Sequence, residues 1–96
     1  MSETSLDEIR DEVKKLIIKT LKIEDVNPGD ILNDVPLFSG ENTITIDSID
    51  GIEILMAIQK HFIVRMDDQN LARHIINTID TISEFINAEQ MKRSEQ

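Results

Sequence analysis

The chain has 96 residues, of which 40% are hydrophobic, so it can form one small domain with a modest core but not a deep enzyme cleft. It contains no cysteine, which excludes disulfides and thiolate zinc sites. Its net charge of −9 disfavours nucleic acid and anionic membranes as partners. We expect a cytoplasmic protein without membrane insertion, because the sequence shows neither an apolar run of spanning length nor a signal peptide.

Most of the negative charge lies in the middle of the chain. Residues 23–58 contain eight acidic residues and no basic residue, and so hold −8 of the net −9. Residues 1–22 hold five acids and five bases, and residues 59–96 hold six acids and five bases. An acidic surface of this kind attracts basic protein surfaces, although an acidic face that only aids solubility would give the same pattern.

The first predicted element is a helix over about residues 6–21. Ser5 and Glu8 have the spacing of a capping box, and apolar residues then recur at helical spacing as far as Leu21. The acidic and basic residues of this helix are equal in number, so its outer face is neutral overall. This indicates a supporting role in the fold and not a recognition surface.

A long loop is predicted over residues 22–46. Pro28, Gly29 and Pro36 interrupt helical structure, and no periodic pattern is sustained. Six apolar residues are expected to anchor the loop to the core: Val26, Ile31, Leu32, Val35, Leu37 and Phe38. Ile44 and Ile46 are expected to point inward from an extended segment, since no partner strand exists for them.

Three further helices are predicted after the loop. Asp47 and Asp50 form a second capping pattern, and helix two follows over about residues 48–62. Its apolar residues cover a wide arc, so we expect it to be the central helix, buried on several sides. A short third helix is expected over about 69–75, and a last helix, capped by Asn77 or Thr78, over about 79–90 with a frayed tail. The sequence therefore predicts an all-α four-helix bundle in a single domain, residues 1–96, with three longer helices and one short one.

The residues alone leave the role of Ser48, at the start of helix two, open. A catalytic serine needs a base within hydrogen-bond reach. His61 lies thirteen residues further along the same helix, about 20 Å away at ~1.5 Å per residue. His74 belongs to no recognisable motif, and no metal-ligand spacing is present. An exposed hydroxyl at a helix N-terminus suits an attached phosphate, whereas a simple helix cap is the structural alternative.

The segment Asp47-Ser48-Ile49-Asp50 resembles the attachment motif of acyl carrier proteins, usually Asp-Ser-Leu-Asp. The resemblance extends to the loop segment 36–38, the link 62–68 and the last helix from residue 78 onward. It implies that Ser48 carries 4′-phosphopantetheine, which a separate phosphopantetheinyl transferase attaches, and that acyl groups are held on the arm as thioesters. The chain would then be a monomeric, non-catalytic phosphoprotein of fatty-acid biosynthesis or related lipid or polyketide metabolism.

The resemblance also implies roles for residues around Ser48. Basic docking surfaces of acyl-transferring and acyl-modifying enzymes would contact three acidic and two apolar residues: Asp47, Asp50, Glu53, Ile49 and Met56. Three apolar side chains would shelter the acyl chain, although ordinary core packing also explains them: Ile52, Met56 and Ile76.

Three features depart from the usual pattern of the family. Gln59, Lys60 and His61 stand where many fatty-acid carriers have glutamates, and the segment 40–46 is longer than theirs. Gly51 costs up to ~1 kcal/mol in a helix; it either leaves room for the arm or for a partner's backbone, or it is sequence drift. The first two features favour a carrier of a specialised pathway. The alternatives are an aminoacyl or peptidyl carrier and an unmodified acidic helical interaction protein.

Overall fold

The computed structural model describes residues 5–94, which form four α-helices and no strand. The helices are α1 (Leu6–Leu21), α2 (Ser48–Phe62), α3 (Gln69–Ile75) and α4 (Ile79–Ser94), and a 3₁₀ turn (Pro28–Asp30) lies in the loop after α1. The predicted all-α fold, with three longer helices and one short one, is confirmed. None of these helices combines the length and the hydropathy that crossing a bilayer requires.

Helix α1 is the element against which both α2 and α4 pack. It begins with a capping box, in which the Glu8 N–H donates to Ser5 Oγ at 3.2 Å and the Ser5 N–H donates to Glu8 Oε1 at 3.0 Å. Ile9, Val13 and Ile17 follow at four-residue spacing and are completely buried. Because residues four apart lie on one face of a helix, these side chains form the stripe that α1 contributes to the core.

An ion pair also links α1 to α4. Arg10 Nε donates to Asp80 Oδ1 at 2.8 Å, and Arg10 Nη1 lies 2.6 Å from Asp7 Oδ1 on α1 itself. The hydrogen bond to Asp80, more than the other nearby groups, raises the pKa of Arg10 above its ordinary value. The guanidinium therefore stays charged and fixes the N-terminal turns of the two helices relative to each other.

Helix α2 packs on one side only. Its buried residues recur at three- and four-residue spacing: Gly51, Ile54, Ile58 and Phe62. Ile49, Ile52 and Met56 instead face solvent, with exposed fractions of 68%, 59% and 64%. The prediction of a helix buried on several sides is therefore wrong. The reason is that α1 packs on one side of α2, while α3 and α4 make few contacts with α2.

The loop between α1 and α2 is held by one buried amide side chain. Asn42 Oδ1 accepts the N–H groups of Leu32 at 2.9 Å and Thr43 at 2.7 Å. Its Nδ2 group donates to the carbonyls of Leu32 at 2.9 Å and Val35 at 2.8 Å. All the hydrogen-bonding capacity of this amide is thus used to fold the loop back on itself.

The apolar residues of the loop divide into two groups. Four of them are buried in the core: Ile31, Leu37, Ile44 and Ile46. This confirms the inward orientation predicted for the two isoleucines of the segment 43–46, which begins with a bend and forms no strand. Leu32 is exposed, so the prediction that it anchors the loop in the core is wrong. Phe38 lies outside the buried core, but its ring contacts α2 at Gly51.

Backbone hydrogen bonds join this loop to the start of α4. The Leu37 N–H donates to the Asn77 carbonyl at 2.8 Å, and the Asp80 N–H donates to the Asn33 carbonyl at 3.0 Å. The Thr81 N–H donates to Thr78 Oγ1 at 3.0 Å, which makes Thr78 the cap of α4. The loop that leads to Ser48 is therefore attached to the bundle both by buried apolar side chains and by backbone hydrogen bonds.

Helix α4 extends to Ser94, beyond the predicted end near residue 90. Residues 88–93 contain no glycine or proline and consist of good helix formers. An ion pair between Lys92 and Glu89 at 3.3 Å supports the last turns. The predicted end near residue 90 is therefore four residues too early, and residues 95–96 of the tail predicted to fray lie outside the described residues.

Candidate functional site

Ser48 is the first residue of α2, and it is exposed. The neighbouring aspartates form the cap: the Asp50 N–H donates to Asp47 Oδ1 at 2.8 Å, and the Asp47 N–H donates to Asp50 Oδ2 at 3.3 Å. The Ser48 hydroxyl makes no hydrogen bond with any residue that the structure describes. The cap is thus complete without Ser48, whose hydroxyl is left free for chemistry.

An open cleft of about 660 Å³ includes Ser48 in its wall. Helix α2 contributes four residues at the spacing of one helical face: Ser48, Gly51, Ile52 and Leu55. The opposite wall comes from the region of α3, and the loop contributes one aromatic ring: Ala72, Arg73, Ile76 and Phe38. The volume lies within the ~300–1,000 Å³ that is common for small-molecule sites, and the walls are mainly apolar.

Gly51 allows the Phe38 ring to lie against α2. A Cβ atom built on Gly51 would lie 3.2 Å from Phe38 Cζ, closer than side chains normally approach. The glycine therefore allows a close contact with a ring of the same chain. Gly51 also lines the cleft, so leaving space for the arm stays one of its predicted roles.

The structure places the three predicted pocket residues differently. Ile76 is buried and forms an inner part of the cleft wall, and Ile52 forms its exposed rim. Met56 does not line the cleft but lies on the solvent-facing side of α2. Of the two roles predicted for Met56, contact with a partner is the one that its exposure fits.

The residues predicted for partner contact lie on the solvent side of α2. Ile49, Glu53 and Met56 are exposed and recur at three- and four-residue spacing, which places them on one face together with Ile52. Asp47 is exposed at the N-terminal end of this face. Asp50 is half-buried and is engaged in the cap. We refer to Ile49, Ile52, Glu53 and Met56 as the exposed strip of α2.

Neither histidine lies in the cleft. His61 Nε2 is 3.4 Å from Glu12 Oε1, which connects the C-terminal end of α2 to α1. His74 is exposed on α3, outside the set of residues that line the cleft. The described residues therefore bring no imidazole to Ser48, in agreement with the sequence argument that this serine lacks a catalytic base.

Comparisons with known proteins identify relatives of this chain. No protein-family model matches it. Acyl carrier proteins from Buchnera aphidicola subsp. Acyrthosiphon pisum, strains Tuc7, APS and 5A, are each 27% identical to it over 85 residues. The match covers 88% of this chain and 96% of each relative. The chain is a distant relative of acyl carrier proteins. The predicted relationship to acyl carrier proteins is thereby confirmed, and relatives named as carriers agree with the prediction that the chain is not an enzyme.

The resemblance to acyl carrier proteins does not predict every residue that lines the cleft. Leu55, Ala72 and Arg73 line it without having been predicted as site residues. The available signal was weak: Ala72 and Arg73 precede Ile76 by four and three residues, so they lie on the same side of the short third helix. Nothing in the sequence indicates that this side meets α2 next to Ser48.

Proposed function

We propose that the chain is an acyl carrier protein that holds acyl intermediates on a 4′-phosphopantetheine arm attached to Ser48. The observation that best supports this proposal is that Ser48 is exposed, takes no part in the helix cap through its hydroxyl, and lies in the wall of an apolar cleft. The arm supplies a terminal thiol on which an acyl group is held as a thioester. The chain itself supplies the attachment point, a sheltering surface and a docking surface.

The residues around Ser48 fit such a group. The start of α2 favours a phosphate on the Ser48 oxygen, because the helix dipole and backbone N–H groups near a helix N-terminus attract anions. Ile52, Leu55 and Ile76 give the cleft apolar walls, along which an acyl chain loses contact with water. The α2 side of the cleft extends from Ser48 to Leu55, which is two turns of the helix or about 10 Å at ~1.5 Å per residue.

The proton of the Ser48 hydroxyl must be removed when a group is attached to its oxygen. The two aspartates beside it accept hydrogen bonds within the cap, and neither histidine lines the cleft. We infer that the base comes from a separate phosphopantetheinyl transferase that binds over this end of α2. The chain acts as the substrate of that enzyme and performs no catalysis of its own.

Partner enzymes would dock on the exposed strip of α2. The strip combines apolar side chains with the carboxylate of Glu53, and Asp47 adds a second charge at its end. A basic surface with an apolar centre complements it, and the charges would speed the encounter more than they strengthen the complex. The partners we propose are enzymes of fatty-acid-like or specialised lipid and polyketide synthesis.

The C-terminal end of α2 supports a specialised partner set. Gln59 Oε1 accepts the Met66 N–H at 2.9 Å and so holds the link after the helix, while His61 pairs with Glu12. Lys60 is exposed next to them. The acidic surface therefore ends before the last turn of α2. A partner whose basic surface matches a helix that is acidic along its whole length would be repelled there by Lys60.

The proposal is tested by intact-mass measurement after incubation with coenzyme A and a phosphopantetheinyl transferase. The wild-type chain should gain one phosphopantetheine, and Ser48→Ala should gain none. Ser5→Ala is the matched control, because Ser5 is also an exposed serine at a helix start but its hydroxyl caps α1. It should be modified like the wild type.

Two outcomes would contradict the proposal: no mass gain in the wild-type chain, or a gain that survives Ser48→Ala. The first outcome would favour an unmodified acidic interaction protein. Once the arm is attached, enzymatic loading with an acyl group as against an aminoacyl group separates the acyl carrier from an aminoacyl or peptidyl carrier.

A further inference from the structure

Arg73 is the one charged side chain among the eight residues that line the cleft. It is exposed, and it makes no hydrogen bond or ion pair with any side chain or backbone group that the structure describes. A guanidinium presents five N–H donors in one plane, and two of them match the two oxygens of a carboxylate or phosphate. The cleft therefore contains an anion-binding group without an anion from the chain to satisfy it.

The acidic groups near the cleft are directed elsewhere. Asp47 and Asp50 pair with each other's backbone N–H groups at the start of α2, and neither lines the cleft. The remaining lining residues carry no charge, and six of the eight are glycine or apolar. Beside apolar walls a charge interacts more strongly with an opposite charge than it does in open water.

A neutral acyl chain would gain nothing from such a guanidinium. A cleft built only to shelter hydrocarbon would be served equally well by an uncharged residue at position 73. An oxyanion in the same cleft would pair with Arg73 while the rest of its molecule contacts the apolar walls. The position of Arg73 thus separates ligands by charge, whereas the walls provided by Ile52, Leu55 and Ile76 do not.

We propose that Arg73 is a specificity-determining residue that binds an oxyanion of the group attached to Ser48. This proposal rests on the proposed function. Two oxyanions have the required chemistry: the phosphate that joins the arm to Ser48, and a carboxylate at the far end of an acyl cargo. The first would hold the arm against the cleft, and the second would make the protein a carrier of dicarboxylic acyl groups.

The experiment compares four forms of the full chain: unmodified, with the arm alone, with a neutral acyl group, and with an acyl group of equal length that ends in a carboxylate. Intact mass first establishes the loading of each form. Melting temperatures are then measured for the wild type, Arg73→Gln and Arg73→Lys, and the NMR shift of the Arg73 Nε–H group is followed across the four forms of the wild type, where it should move only in the forms in which Arg73 pairs with an oxyanion. Arg65→Gln is the control, since Arg65 is also exposed but lies outside the cleft, where its guanidinium is 4.0 Å from Asp67 Oδ1.

Pairing with the phosphate should raise the wild-type melting temperature by about 4 °C or more when the arm is attached, with no further rise for the carboxylate cargo. Pairing with the cargo should give that rise, measured relative to the form with the neutral acyl group, only for the form that ends in a carboxylate. In either case Arg73→Gln should lose the rise, Arg73→Lys should keep part of it, and Arg65→Gln should keep all of it. The unmodified variants should melt close to the wild type, because Arg73 has an exposed side chain.

Equal responses of the wild type and Arg73→Gln in all four forms would overturn the role of Arg73 while leaving the carrier function intact. An equal loss in Arg65→Gln would also overturn it, because it would show a general effect of net charge. A chain that takes up no arm at all would refute the proposed function, and the role of Arg73 with it.

Discussion

Replacing Asn42 by alanine should destabilise the fold more than any other single polar substitution in the loop. The side chain is buried, and its four hydrogen bonds join the loop at residues 32, 35 and 43. Alanine removes all four bonds and leaves the N–H groups of Leu32 and Thr43 and the carbonyls of Leu32 and Val35 without this partner.

The expected loss is about 2–4 kcal/mol in the free energy of unfolding. A neutral hydrogen bond contributes ~0.5–1.5 kcal/mol net, so four would give ~2–6 kcal/mol. We take the lower part of this range because the backbone groups concerned are only partly buried, and water replaces some of the lost bonds. A domain of this length is stable by about 5–15 kcal/mol in total, so the variant should lose a large share.

Urea unfolding followed by far-UV circular dichroism measures this loss, since the chain has no tryptophan or tyrosine to follow by fluorescence. The melting temperature should fall by about 8 °C or more, at ~4 °C per kcal/mol. Asn27→Ala is the matched control: Asn27 is an exposed loop asparagine that makes no capping hydrogen bond, and its replacement should change stability by less than ~0.5 kcal/mol.

Asn42→Asp gives an independent check. It keeps the Oδ1 acceptor but replaces the amide donor by an oxygen that faces the carbonyls of Leu32 and Val35. It should therefore be at least as destabilising as alanine at neutral pH. If Asn42→Ala proves as stable as Asn27→Ala, the amide does not hold the loop, and the stability of the loop must come from its apolar residues alone.

Three further predictions concern single side chains. Glu53→Lys should slow modification of Ser48 roughly tenfold at low salt, because it reverses an exposed charge on the exposed strip of α2. Glu84→Lys makes the same charge change on α4 and should not slow it. Equal rates for the two variants would show that Glu53 is not part of the docking surface. Ile63→Gly should stabilise the protein by about 1 kcal/mol in urea unfolding, since Ile63 is 70% exposed and has φ 55°, a left-handed conformation that costs a residue with a Cβ ~1–2 kcal/mol. Ser83→Ala should also stabilise by about 1 kcal/mol, because the Ser83 hydroxyl is completely buried without a hydrogen-bond partner in the described structure; a loss of stability would show that this hydroxyl is satisfied.

The parts of the fold that depend on near neighbours in the chain could be predicted from the sequence. The starts of α1 and α2 are fixed by hydrogen bonds between residues three apart, Ser5 with Glu8 and Asp47 with Asp50. The stripe of α1 follows from a four-residue repeat. Both patterns are local, so each can be read without knowing what else the chain contacts.

The parts that depend on distant neighbours could not be predicted in this way. The apolar arc of α2 does not reveal which of its sides another helix covers, and so the exposure of Ile49 and Met56 was missed. Asn42 was missed because its partners are backbone groups, which every residue offers. Arg73 enters the candidate site only through the packing that places α3 beside the first turns of α2.

The order of Asp47 and Ser48 explains how one helix start can be both stable and chemically available. At the start of α1, Ser5 occupies the capping position, and its hydroxyl is occupied by the Glu8 N–H. At the start of α2 an aspartate takes that position, and the serine follows as the first helical residue. The cap keeps its stabilising hydrogen bonds, while the serine hydroxyl is released on the side of the helix that faces the cleft. A serine in the capping position accepts the cap hydrogen bond through the same oxygen that would be modified, so an attached group would make this oxygen a poorer and more crowded acceptor and would weaken the cap. The aspartate removes that conflict, which is why the pair, and not the serine alone, defines the site.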